Sequence, residues 1–493
     1  MLFSSMIFLW VFLPIVISVN FLLSVIHFPK EENRIHIKNT FLLLASIFFY
    51  AWGGIYYLFI MLSSILLNYF SGILIDCSIK HKRLFLVLSI VLNLSILFVF
   101  KYFNMAVIII ESLLSFDGDL NLLIQNMLGM QGTGELGFPY IVLPIGISFF
   151  TFQAMSYVID VYWGKTDVQK NLLDFALYVS FFPQLIAGPI VKYSDIAKQL
   201  NKREENLSTF VIGQRRFCYG LGKKVLLSNT FAEISDSIWA LETSTLGAPV
   251  AWLGIIAYTL QIYYDFSGYS DMAIGIGKML GFRFKENFNY PYTSLSIQEF
   301  WRRWHISLSS WFKEYVYIPL GGNRLSKTRT YINLLIVFFL TGIWHGANFT
   351  FLIWGLLYAV FLIMERLFLG CLLNQNPLKF LNWIYTTFIV IIGWVFFRAE
   401  TIFQAWTYLQ QMFSFTTSHN TVISFLSMKT IIAFVLGILF VGFLQRPLEK
   451  FHIKIKSNPW IMFGDLIIQI SILIISIFMM VSGTYNPFIY FQF

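Results

Sequence analysis

His345 is the sixteenth residue of a 35-residue run, 330–364, that contains no Asp, Glu, Lys or Arg. An ionisable side chain so deep in apolar sequence is costly to bury and is a functional-site hypothesis by default. Imidazole can take or give a proton near neutral pH, and it can attack an acyl carbon. The alternative is a structural histidine hydrogen-bonded between helices. Gly342 and Gly346 favour that alternative, because Gly-x-x-x-Gly spacing brings helices close.

A second histidine, His305, lies among Trp301, Trp304, Leu308 and Trp311, which recur at helical spacing, with the basic residues Arg302, Arg303 and Lys313 beside them. The pattern predicts one amphipathic helix at the membrane interface, with tryptophans at the headgroup level. On such a helix His305 stands near Trp301 and Arg302. It is either part of a plain surface helix or a second active-site residue assisting His345. In the second case the arginines hold an anionic substrate through their planar forks of N–H groups. Asp265 and Asp271 stand within a long hydrophobic segment. Either they face a polar cavity, or the segment packs through Gly268, Gly275, Gly277 and Gly281 with the acids solvated at one end.

No P-loop, HExxH zinc motif or GxSxG elbow is present, and Gly275-Ile276-Gly277 lacks the spacing of a dinucleotide loop. The three cysteines (Cys77, Cys218, Cys371) are scattered and suggest no disulfide, metal site or thiol nucleophile. Any chemistry belongs to histidine.

The elements that position these groups follow from composition. Of 493 residues, 57% are hydrophobic, only 12% are charged and 54 are Phe, so the solvent must largely be lipid. A soluble enzyme, a disordered chain and a nucleic-acid-binding module are excluded. The net charge of +9 reads as positive-inside bias rather than as a sign of an acidic partner. Candidate spans fall near 6–28, 40–76, 84–102, 139–163, 225–245, 250–280, 330–364, 380–397, 421–445 and 460–482. The first begins without a preceding Lys or Arg and is too long for a signal-peptide core, so it reads as a transmembrane helix.

Trp52-Gly53-Gly54 breaks 40–76 into a hairpin, and Gly346-Ala347-Asn348 does the same for 330–364, which as one helix would be about 52 Å long. The segment 171–191 contains Pro183, Gly188 and Pro189 and reads as a broken, re-entrant loop. Grouping basic loops on one side places 28 of 34 Lys and Arg inside, including eight in 192–224, eight in 283–329 and Arg446, Lys450, Lys454 and Lys456. The stretches 103–163 and 225–277 hold acids (Glu111, Asp117, Asp119, Glu135, Glu233, Asp236, Glu242) but no Lys or Arg. The expectation is an all-α polytopic membrane protein with about ten to twelve crossings and both termini extracytoplasmic. It forms a single domain over 1–493, with N-terminal helices in 1–102, a core with re-entrant segments in 139–369 and C-terminal helices in 380–493.

An intramembrane Trp344-His345-Gly346 preceded by Trp301-Arg302-Arg303-Trp304-His305 resembles the membrane-bound O-acyltransferase family, most of all its bacterial alginate O-acetyltransferase branch. Phe182–Ile190, Asp265–Gly275, Asn287–Arg324, Thr341–Asn348 and the ending Asn486–Phe493 carry the resemblance. It implies tilted helices around a central tunnel, His345 as the catalytic residue and His305 at the second family position. Trp301, Arg302, Arg303, Trp304, Trp344, Asp265, Gln184 and Asn323, within these motifs, are the expected contacts to donor and substrate. It implies no metal and no bound cofactor.

A cytoplasmic acyl thioester such as acetyl-CoA would be the donor, since no ATP motif is present. The resemblance further implies a bacterial cytoplasmic membrane location, an extracytoplasmic SGNH-type partner transferase and a polysaccharide acceptor. Relatives that transfer D-alanine or acetylate peptidoglycan share this architecture. A rival from another class is a flippase for an anionic lipid-linked substrate, with His345 and Asp265 as a proton relay.

Overall fold

The structure is a computed structural model that describes residues 1–103, 105–106, 143–414, 421–445, 459–483 and 485–489. Glu111, Asp117, Asp119, Glu135, the start of the 139–163 span, the basic loop from Arg446 to Lys456 and the last four residues of the C-terminal motif lie outside them. Among the described residues the chain is all-α, without a strand.

Helix α1 (Phe8–Val25) is followed by α2 (Glu31–Ala51) and α3 (Ile55–Cys77). The expected hairpin forms at Trp52-Gly53-Gly54, where Gly54 takes φ 145°, a conformation open to glycine and strained for other residues. Helix α4 (Lys82–Lys101) packs on α3 through a reciprocal amide pair, Asn68 and Asn93, bonded at 2.9 Å both ways. Polar side chains placed between apolar helices can in this way join them.

Helix α5 (Ile147–Tyr162) is buried from Ile147 to Val161, and α6 (Leu172–Ser180) is buried from Asp174 onward. The break expected near the prolines occurs at Phe181, followed by a single turn, Phe182–Leu185. Protein covers this irregular backbone throughout, as a low-dielectric setting demands. Phe182 packs against Phe8, Phe12 and Phe49, and its N–H donates to Ser46 Oγ at 3.1 Å.

The structure departs from the sequence expectation over 192–245. Residues 207–239 form one helical run: α7 (Leu207–Gly222), a wider turn at Lys223–Ser228, and α8 (Asn229–Trp239). Four of the eight basic residues expected in a polar loop, Arg215, Arg216, Lys223 and Lys224, sit on this run. Arg216 and Lys223 bind Asp271, at 2.8 and 2.7 Å, and Lys224 binds Asp265 at 2.5 Å. Both acids belong to α9 (Ala248–Met279). Buried cations are tolerated here because each has a carboxylate.

The glycine packing foreseen for α9 is present. A Cβ on Gly220 would lie 2.7 Å from the Gly268 carbonyl oxygen, and one on Gly213 would lie 2.6 Å from that of Gly275. Asp265 is buried and Asp271 half-buried, and both are engaged by cations of the facing run. They clamp two closely packed helices.

The tryptophan-rich segment is two short helices, α10 (Ile297–Arg303) and α11 (Ile306–Phe312). A second hairpin follows, α12 (Lys327–His345) and α13 (Phe349–Gln375), turning at Gly346-Ala347-Asn348 as expected. Asn348 caps α13 by accepting from the Thr350 N–H at 3.1 Å. Helices α14 (Lys379–Arg398), α15 (Ile402–Met412), α16 (Met428–Phe443) and α17 (Pro459–Ser482) complete the described bundle. Six of these helices, α1, α3, α4, α13, α14 and α17, are long and apolar enough to cross a membrane.

Candidate active site

His345 is the last residue of α12, and extended backbone at Gly346 ends the helix there. The hairpin is tight: a Cβ on Gly342 would lie 2.5 Å from the Phe351 carbonyl oxygen. The small residues therefore do bring helices together, and His345 stands at the closed end of that pair. Its ring is held edge-on by Trp344, Trp354 and Phe397, with centroids 4.9, 4.8 and 5.0 Å away. The ring is almost wholly buried, and Nδ1 has no hydrogen-bond partner among the described residues. A buried polar atom left unpaired costs about 1–3 kcal/mol. An arrangement that keeps one is suited to a group that exchanges a proton with substrate.

His345 opens on a cavity of about 30 Å³ with Lys101, Ser148, Trp344 and Ile186 among its lining. Ile186 belongs to the broken segment after α6. That segment comes close because Gly146 faces it without a side chain: a Cβ there would lie 2.5 Å from the Leu185 carbonyl oxygen.

Lys101, the last residue of α4, was not singled out from the sequence. Its Nζ donates to the Trp344 carbonyl and lies 3.4 Å from Ser148 Oγ. The next residue, Tyr102, donates its hydroxyl to the Ile343 carbonyl at 2.7 Å. Together they satisfy two carbonyls in the last turn of α12 and fix the end that carries His345.

The structure corrects the environment of His305. The residue stands between α10 and α11 with φ 42° and ψ 57°, so no continuous helix relates it to Trp301 and Arg302. Asn287 enforces the break. Its backbone oxygen accepts the Ile306 N–H at 2.9 Å, and its Oδ1 accepts from the Ser307 N–H at 3.2 Å and the Ser307 hydroxyl at 2.9 Å. The tryptophans of this segment do not lie at an interface. Trp301, Trp304 and Trp311 are buried in protein, Trp311 stacking on Phe152 at 3.8 Å. Helical spacing of aromatic residues is satisfied equally by two short helices that turn their indoles inward.

Asn287 also sets the chemistry of His305. Its Oδ1 lies 3.1 Å from Nδ1, while its Nδ2 donates to Ser270 Oγ at 3.1 Å. Nδ1 thus carries the ring proton and Nε2 the lone pair, and Nε2 is buried without a partner among the described residues. The Trp344 indole lies between the two histidines, its centroid 6.1 Å from His305 and 4.9 Å from His345. Asn287 stood inside a sequence motif, but its spacing to His305 gave no sign of the contact.

The other expected site residues scatter. Trp344 lines the cavity. Trp301 is one ring removed, packing on Trp354 at 5.6 Å, and Trp304 packs on Trp394 at 5.0 Å. Arg302 is exposed, Arg303 is paired with Glu299, and neither lines the cavity. Gln184 is buried, with Nε2 donating to the Tyr178 carbonyl at 2.5 Å, so it holds the broken segment together. Asn323 is exposed in the turn before α12. Asp265, besides its bond to Lys224, accepts the Ile489 N–H at 2.9 Å, which engages the carboxylate the proton relay required.

Residues 165–402 match the model of MBOAT, the membrane-bound O-acyltransferase family. Over 93% of its length the chain is 43% identical to the probable alginate O-acetylase AlgI of Pseudomonas aeruginosa, covering 85% of that protein. The chain belongs to the membrane-bound O-acyltransferase family. It is an acyltransferase of a multi-pass membrane type. It is also 37% identical to the peptidoglycan O-acetyltransferase of Helicobacter pylori, over 84% of this chain and 80% of that one. The teichoic acid D-alanyltransferase of Bacillus subtilis is 29% identical over 45% of this chain and 59% of its own. The family match contains Gln184, His305 and His345, whereas Lys101 precedes it.

Proposed function

We propose that this acyltransferase moves an acetyl group from a cytoplasmic thioester such as acetyl-CoA across the bacterial cytoplasmic membrane, for O-acetylation of an extracytoplasmic polysaccharide. His345 is its catalytic residue, as general base or transient acyl acceptor, and His305 assists across the Trp344 indole. An SGNH-type partner makes the final transfer, and both termini of the chain are extracytoplasmic. One observation carries the reading: two buried histidines, each with a ring nitrogen unpaired among the described residues, flank one indole beside a cavity. The acetylase and acetyltransferase names of the relatives that match most of this chain support acetyl as the group and a polysaccharide as the acceptor.

The anionic donor docks on the basic residues that remain uncommitted. Most cations of 192–224 are neutralised within the fold. Among the described residues Arg302, Lys313, Arg324, Lys327 and Arg329 are exposed and make no ion pair.

The test is base-released acetate from the envelope and secreted polysaccharide of the host. A deletion strain is complemented with wild type or His345→Ala at matched membrane abundance. Wild type should restore acetate and the variant should not. Equal restoration by both would remove His345 from the reaction.

A further inference from the structure

The buried lysines of α2 and the α7–α8 run, Lys38 and Lys224, pair with Glu205 and Asp265, and the half-buried Lys223 pairs with Asp271. Lys101 has no such carboxylate among the described residues. Its described contacts are neutral: the Trp344 carbonyl, Ser148 Oγ at 3.4 Å and the face of the Trp344 indole at 5.6 Å. Lys101 is half-buried, and an ammonium held partly away from water in a membrane protein is costly to leave without an anion. The Trp344 carbonyl and Ser148 Oγ account for two of its three N–H groups, and Tyr102 already satisfies the neighbouring carbonyl of Ile343. The remaining hydrogen-bonding capacity belongs to the cavity that Lys101 lines together with His345.

The geometry points to Lys101 as the group that binds the acyl carbonyl oxygen and stabilises the oxyanion during transfer, an inference that rests on the acyl-transfer reading above. His345 takes the proton of the acceptor hydroxyl, whose oxygen forms a bond to the thioester carbon. The carbonyl π pair moves to oxygen, and the resulting anion is met by the Lys101 N–H. The pair then returns, the C–S bond breaks, and the thiolate leaves as thiol with the proton carried by His345. Charge that appears only in the transition state is where a fixed cation lowers a barrier, and one such hydrogen-bond donor is worth about 10²–10³ in kcat.

The experiment follows CoA release from acetyl-CoA by host membranes carrying the full chain at matched abundance. Its variants are Lys101→Gln, Lys101→Met and His345→Ala. Lys101→Gln keeps N–H donors on a shorter side chain and removes the charge, whereas Lys101→Met removes both the charge and the donors. The kcat of Lys101→Gln should fall about 10²–10³-fold, with KM within about threefold and an unchanged thermal midpoint. A Lys101→Gln enzyme with wild-type kcat beside an impaired Lys101→Met would make Lys101 a helix cap and overturn the inference. If His345→Ala releases CoA at the wild-type rate, His345 is not the base, and the placement of the reaction at this cavity, on which the inference rests, fails. If His345→Ala is dead while Lys101→Gln is fully active, only the role of Lys101 fails.

Should the Lys101 variants not accumulate, wild type answers through two inhibitors. One is S-ethyl-CoA, which lacks the carbonyl, and the other is the ketone analogue with CH₂ in place of the thioester sulfur. At least about tenfold tighter inhibition by the ketone supports the contact, and equal inhibition overturns it.

Discussion

Asn287 Oδ1 lies 3.1 Å from His305 Nδ1, and the same oxygen accepts from the backbone and side chain of Ser307. One amide thereby holds His305 in left-handed backbone and chooses its tautomer. Nε2 is left as the basic nitrogen on the ring that faces Trp344.

Asn287→Ala should lower kcat for CoA release by about 10²-fold, the lower end of what a positioned acid–base group contributes. It should also destabilise the protein by about 1–3 kcal/mol through unpaired buried groups. Asn287→Asp keeps an acceptor opposite Nδ1 and should retain most of kcat. Equal kcat in Asn287→Ala and wild type would show that the tautomer of His305 does not matter to the reaction.

Asp265→Asn tests the clamp on α7–α8. It leaves Lys224 buried beside a neutral amide, and breaking a buried pair in this way costs about 3–5 kcal/mol. The thermal midpoint should drop sharply, and Lys224→Met added to Asp265→Leu should recover most of it. Activity per folded molecule should survive in the double variant. Loss of transfer with intact stability would return Asp265 to a proton-carrying role.

Gly220→Leu addresses the same interface through volume. Its Cβ would meet the Gly268 carbonyl oxygen at 2.7 Å, so α7 and α9 must separate. Overpacking of this kind costs about 1–3 kcal/mol and occasionally more. Membrane abundance and thermal midpoint should fall while KM for acetyl-CoA holds in the surviving protein. A variant as stable as wild type would mean that the helices do not touch there.

Replacing Arg324, Lys327 and Arg329 together by Gln removes exposed charge from one loop. KM for acetyl-CoA should rise by about tenfold with kcat unchanged, and the difference from wild type should shrink as salt is raised. A KM insensitive to both the substitutions and salt would place the donor elsewhere.

Much of this molecule could be read in one dimension. The two hairpins are visible because an apolar run longer than the bilayer contains a glycine-bearing break. The broken segment near Phe181 is visible because prolines forbid its continuation. His345 stands out because no charge accompanies it over 35 residues, and the family motifs were legible for the same local reason.

Pairing was not legible. Arg216, Lys223 and Lys224 looked like a cytoplasmic loop, because nothing near them in sequence shows that Asp265 and Asp271 neutralise them. The tryptophan segment looked like one helix, because periodicity does not reveal a break made by Asn287 from outside it. Lys101 drew no notice, because nothing near it in sequence shows that it meets the Trp344 carbonyl. Residue type and spacing determined that this chain lives in lipid, where it turns and which histidine is exceptional, since lipid penalises charge and irregular backbone wherever they occur. Only the tertiary structure decided which buried charges are neutralised and that Lys101, with neutral partners among the described residues, stands beside His345, because partners far apart in sequence leave no local trace.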